Sequence, residues 1–117
     1  MAILRIKNLV VRTIIGFNPE ERDNLQDVIL NVEIEVDVSR AVLTDQPMDI
    51  YDYKLITKKI ISFVSESRYN LLEKLTYEVL QMILCDKRVT WAKVEIDKPH
   101  ALRYSESVSV ELEERRS

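Results

Sequence analysis

Val28-Ile29-Leu30-Asn31-Val32-Glu33-Ile34-Glu35-Val36-Asp37-Val38 decides the fold. Its even-numbered residues are all branched aliphatics, whereas most of its odd-numbered ones are polar. That period of two predicts a long strand with one buried face. A strand polar on one side belongs to an antiparallel sheet, since parallel strands are buried on both faces. Upstream, Leu4, Ile6, Leu9, Val11, Thr13 and Ile15 share one side of an extended chain if a single irregularity falls near Asn8, giving the natural antiparallel mate. The polar stretch after Gly16, with Pro19, is the connecting loop.

Downstream, a polar segment from Thr44 to Asp52 leads into Tyr53–Glu66, where Tyr53, Ile56, Ile60, Phe63 and Val64 recur at helical spacing. A second helix is expected from Asn70, a good N-cap residue, to about Cys85, with Leu72, Leu75, Val79, Met82 and Ile83 on one face. Alternation returns from Val89 through Ala92, Val94 and Ile96 to Pro99, and again at Val108, Val110 and Leu112. The order β-β-α-α-β-β predicts one α+β domain over residues 1–117, an antiparallel sheet with both helices on one face. Glu113 to Ser117 reads as a frayed end.

Composition removes many chemistries. The 117 residues include one Gly, one Cys and one His. A phosphate-binding loop or dinucleotide fingerprint needs several glycines, and a zinc site needs three or four ligands. No metal site is therefore expected. With 17 basic and 20 acidic residues, net charge −3 and no long charged block, nucleic acid is not an expected partner. No apolar run reaches the roughly 18 residues that span a bilayer, and Met1 to Arg5 lacks a signal-peptide layout, so a cytoplasmic protein is expected. Cys85 reads as a buried structural thiol.

Several polar residues have two readings. Lys98 continues the apolar phase of Ala92, Val94 and Ile96: it is either a strand-end lysine covering apolar surface with its stem, or a partly desolvated amine able to exchange protons near neutrality. Glu73 has the spacing of a capping box with Asn70; the alternative is a helix-start carboxylate that accepts paired donors from a ligand. Tyr53 is either a staple onto the core or a proton relay. Glu21 is a solvated loop residue or a site carboxylate. His100 and Arg103 form a small cationic patch near Lys98.

At these residues the sequence resembles the dihydroneopterin aldolase and dihydroneopterin triphosphate 2'-epimerase family. The resemblance runs from Arg5-Ile6-Lys7-Asn8-Leu9 to Ser107-Val108-Ser109-Val110. It rests chiefly on Leu71-Leu72-Glu73-Lys74-Leu75-Thr76 together with Val94-Glu95-Ile96-Asp97-Lys98-Pro99-His100-Ala101. It implies a T-fold whose subunits assemble into a ring-like barrel, a tetrameric ring or an octamer, with sites between subunits. It implies a dihydropterin substrate gripped by Glu73 with backbone help from Leu72, catalysis by Lys98 and Tyr53, and a further substrate contact at Glu21, whose neighbour Glu20 leaves the register open. His100 and Arg103 are candidate phosphate contacts. The expected chemistry is retro-aldol and aldol reaction at C1'–C2' of the side chain, with no cofactor, because the dihydropterin ring takes up the electrons itself. The stretch His100-Ala101-Leu102-Arg103-Tyr104 through Ser109, and Tyr53 followed by Thr57-Lys58, look more like the epimerase branch. A dedicated aldolase is the rival. A catalytically silent pterin-binding assembly is the alternative of another class, against which stand Tyr53, Glu73 and Lys98, all present.

Overall fold

The computed structural model describes residues 1–117. Strands β1 (Ala2–Thr13), β2 (Gln26–Val36), β3 (Val89–Pro99) and β4 (Ser107–Arg115) form one antiparallel sheet in the order β1-β2-β3-β4. Helices α1 (Ser39–Thr44), α2 (Tyr53–Glu66) and α3 (Leu72–Leu84) lie between β2 and β3. The six-residue α1 has no signal in the sequence; it is too short to show a periodic face. No helix is long and apolar enough to cross a membrane.

The alternation of β2 sets the layers. Val28, Leu30, Val32, Ile34 and Val36 are buried on one face, where Ala92, Val94 and Ile96 of β3 extend the apolar surface. Ile56, Ile60 and Val64 of α2 and Leu75, Val79 and Ile83 of α3 cover it. The opposite face carries ion pairs instead, Arg5 and Lys93 on Glu33 and Arg115 on Glu35. The expected irregularity in β1 is a bulge between Ile6 and Leu9, with Asn8 at φ 53°. Asn31 holds it by accepting from the Asn8 backbone N–H at 2.9 Å, and asparagine is among the few residues that tolerate a left-handed conformation.

Three local expectations fail for identifiable reasons. The N-cap position of α3 is Leu71, with no side-chain cap, so the capping box between Asn70 and Glu73 is not formed. Cys85 is exposed. It follows α3 and is rotated away from the buried stripe of Leu72, Leu75, Thr76, Val79, Leu80 and Ile83. The chain end is not frayed, because β4 continues to Arg115 and Arg116 docks. Its guanidinium donates to the carbonyls of Val89 (3.0 Å), Asp86 (3.1 Å) and Leu84, capping the C-terminus of α3 with positive charge. Arg116→Ala is expected to cost about 1–2 kcal/mol, read as a fall of several degrees in the thermal midpoint. An unchanged midpoint would show that the tail contributes nothing.

Candidate active site

The loop between β1 and β2 builds the centre of the site. Gly16 leaves β1 at φ 118°, a conformation that L side chains rarely adopt. A Cβ there would collide with the Glu21 carboxylate. The only glycine of the chain therefore stands where backbone geometry and a close carboxylate both exclude a side chain. A 3-10 turn, Pro19–Glu21, then points Glu21 back under the loop, with Asn18 Nδ2 donating to its Oε1 at 3.0 Å.

Glu21 Oε2 accepts from Lys98 Nζ and, at 3.3 Å, from Gln26 Nε2. The two charged side chains retain only 15% and 17% exposure, so the pair is largely withdrawn from water. Of the two neighbouring glutamates it is Glu21, not Glu20, that meets the lysine. The hydrogen bond from Lys98 holds the Glu21 carboxyl below the ordinary glutamate range, against the opposing effect of desolvation, and Gln26 adds to the lowering. Lys98 is thus neither a simple strand-end lysine with its head in water nor an isolated amine. Gln26 also donates to the Ile15 carbonyl at 2.9 Å, which ties the start of β2 to the end of β1.

The acid sensitivity follows with a definite sign. A carboxyl lowered in the folded state stabilises that state at and above its ordinary value near 4.5, and the contribution is lost as pH falls through the folded value. Glu33, Glu35, Asp37 and Asp86 are lowered too, so all five act in the same direction. The thermal midpoint is expected to hold from neutral pH to about 5 and to fall below 4.5, as a pH series of melting curves would read. Gly16→Ala is expected to cost about 1–3 kcal/mol from backbone strain and to displace Glu21. Melting and turnover assays on that variant check both effects; parental values would remove the geometric role assigned to Gly16.

The remaining candidates lie at two ends of the molecule. Leu72 is buried at the start of α3, and Glu73 is exposed in the first turn with no side-chain partner. This helix start follows the Ser67–Leu71 connector, which the Gly16 loop contacts through the hydrogen bond from Gly16 N to Tyr69 O, 3.2 Å. Glu73 is therefore at the Lys98 end. His100, at φ 62° directly after β3, and Arg103, whose guanidinium lies 5.8 Å from the Tyr104 ring centre, are exposed at that end as well, and neither is engaged in an ion pair.

Tyr53 is elsewhere. It opens α2 beside the N-cap Asp52, and is 46% exposed rather than stapled to the core. Tyr51 is the buried tyrosine, under the Arg88 guanidinium at 5.3 Å, and burial pushes its hydroxyl up to about 12. The 14 residues of α2 separate Tyr53 from the Ser67 connector by about 20 Å. Arg88 precedes β3 and Lys98 nearly ends it, a strand of roughly 35 Å. One chain does not bring Tyr53 to Lys98. Gly16, Gln26 and Arg22, which grips the connector, do not stand out in the sequence pattern; a lone glycine ahead of a polar loop is the available signal for the first.

The architecture is a T-fold subunit with a largely buried lysine–glutamate ion pair held at the end of its third strand. Residues 4–113 match the family model described as dihydroneopterin aldolase (FolB), and the chain belongs to that family. It is 48% identical over 111 residues to the dihydroneopterin triphosphate 2'-epimerase of Escherichia coli (strain K12), covering 95% of this chain and 92% of that protein. Identity to the dihydroneopterin aldolase of the same strain is 28% over 113 residues, covering 97% and 93%. The crystal structure of E. coli dihydroneopterin aldolase in complex with neopterin superposes with a TM-score of 0.93 at 28% identity, covering 97% of this chain and 99% of that one.

Proposed function

We propose that the chain epimerises dihydroneopterin triphosphate at C2', with associated aldolase activity. The observation that carries the reading is the Lys98–Glu21 pair at the end of β3, in a chain that shares far more sequence with the epimerase than with the aldolase of E. coli. Glu73, unpaired at a helix start without a side-chain cap, accepts from the amino and N–H edge of the pterin, with the Leu72 backbone beside it. Lys98, through water, removes the proton from the 2'-hydroxyl. The C1'–C2' bond then breaks, its electrons pass into the C6=N5 imine, and the C2' carbon leaves as an aldehyde.

Two fates follow from the enol so formed. If the retained aldehyde turns and C1' attacks its other face, the bond re-forms with inverted C2'. If a proton, relayed by Tyr53, reaches C1' instead, 6-hydroxymethyl-7,8-dihydropterin and the glycolaldehyde fragment are released. Tyr53 acts from an adjacent subunit, because its own Lys98 is at the opposite end of the chain. The assembly is a ring-like tetramer or octamer. Support comes from the free edges of β1 and β4, from the exposed Val42, Leu43 and Met48 in the segment before Tyr53, and from an elongated subunit of 52 × 24 × 22 Å. His100 and Arg103 take the triphosphate. Imidazole and guanidinium N–H donors suit that role, and neither side chain is held in an ion pair within the chain.

Incubation with 7,8-dihydroneopterin and its triphosphate, with products resolved by chromatography, tests the reading. The C2' epimer of the triphosphate is the expected main product. 6-Hydroxymethyl-7,8-dihydropterin alone would make the protein a dedicated aldolase, and neither product would overturn the assignment.

A further inference from the structure

The loop that carries Glu21 is held by an arginine that makes no ion pair. Arg22 Nη1 donates to Gly16 O at 2.9 Å and to Tyr69 O at 3.3 Å, and its Nη2 donates to Arg68 O at 2.7 Å. Arg68 answers from the other side, its Nη2 donating to Arg22 O at 2.9 Å. The backbone bond from Gly16 N to Tyr69 O lies between them. One guanidinium thus bridges three carbonyls on two segments 46 residues or more apart in sequence, at the base of the loop on one side and ahead of α3 on the other. A planar fork with fixed donor directions suits this task; an ammonium, a single point of charge, cannot reproduce it.

We propose that Arg22 is a positioning residue that locks the Glu21 loop to the α2–α3 connector, and so keeps the Glu21–Lys98 pair in register with the start of α3. Arg22 is bonded to Glu21 through the main chain, so any release of its guanidinium is passed to the carboxylate within one residue. The other ties to the connector are single bonds, from Gly16 N to Tyr69 O, from Arg68 to Arg22 O and from Thr13 Oγ1 to Ser67 O, whereas Arg22 reaches three carbonyls at once. Asn18 and Asn24 bond only within it, and Gln26 ties it to the end of β1 rather than to the connector. In the catalytic reading above, on which the kinetic part of this inference rests, the lock sets the spacing between the proton-transfer pair and Glu73. A substrate gripped at its ring and attacked at its side chain is sensitive to that spacing, since small misplacements of reacting groups cost rate steeply.

The test uses Arg22→Met, which keeps an apolar stem, and Arg22→Lys, which keeps the charge and is the milder change should the first not fold. The first readout needs no catalysis. Amine acetylation followed by peptide mass spectrometry measures labelling of Lys98 against the exposed Lys54 and Lys58 as internal references. Labelling of Lys98 is expected to rise severalfold in both variants while the references stay constant. Parental protection of Lys98 in a folded variant would overturn the proposal, whatever reaction the protein performs. The second readout is kinetic. A loss of about tenfold or more is expected chiefly in kcat, and the loss is expected to shrink to less than about threefold when Arg22→Met is made in a Glu21→Gln background. Additive losses would show that Arg22 does not act through Glu21. Absence of all turnover in the parent would instead defeat the proposed reaction and leave the labelling result to decide the lock.

Discussion

Lys98→Ala is expected to lower kcat about 10³-fold, the scale of a lost general acid–base, while neopterin still binds within a few-fold of the parent. The two readouts separate because the proposed pterin grip is Glu73 on α3, whereas Lys98 is on β3, paired with Glu21, and its proposed role is toward the reacting side chain. The substitution also leaves Glu21 without its cation, so the carboxyl loses the main cause of its lowering. Melting of the variant is therefore measured alongside turnover, and Lys98→Met, which keeps the apolar stem, limits any packing loss. Turnover within a few-fold of the parent in either variant would remove Lys98 from the mechanism.

The second large effect is a gain. Tyr53→Phe and Lys98→Ala are each expected to release almost no 6-hydroxymethyl-7,8-dihydropterin as pure oligomers, yet oligomers re-formed from a mixture of the two are expected to regain up to about a quarter of the parental release. Random pairing across a head-to-tail interface leaves one site in four with Tyr53 from one subunit and Lys98 from the next. The expectation rests on distance: about 20 Å of helix and roughly 35 Å of strand separate the two side chains in one chain. Mixtures that stay at the sum of their parts would place both residues of each site in one chain, or remove Tyr53 from the chemistry.

Much of the scaffold is written in local pattern. The alternation in β2 and β3, the 3.6-residue stripes of α2 and α3, and the break at Asn8 each concern residues within a few positions of one another, and a period is enough to assign the element and its buried face. The short α1 escapes because six residues carry no period. Cys85 departs from its expected burial because a helical stripe ends abruptly, and one residue past Leu84 the side chain turns to solvent. Asn70 is of the right residue type for a cap, but capping depends on where the chain enters the helix. That is set here by the connector gripped by Arg22 and Gly16.

Periodicity also selects Lys98, since a lysine in an apolar phase is conspicuous, and scarcity selects what the chain lacks. With so few Gly, Cys and His, composition alone argues against phosphate loops and zinc centres. The one glycine that remains acquires its meaning only in the folded chain. Gly16 and Glu21 are neighbours in a loop without periodic character, and Glu21 meets Lys98 across 77 residues, a contact made by the β2–β3 register and the 3-10 turn together. The capping-box spacing from Asn18 favours Glu21 over Glu20, but no local rule brings Glu21 to Lys98 or tells that Tyr53 opens its helix at the end opposite Lys98. Elements and faces follow from short-range chemistry, whereas distances between side chains on different elements exist only once the sheet and helices have packed.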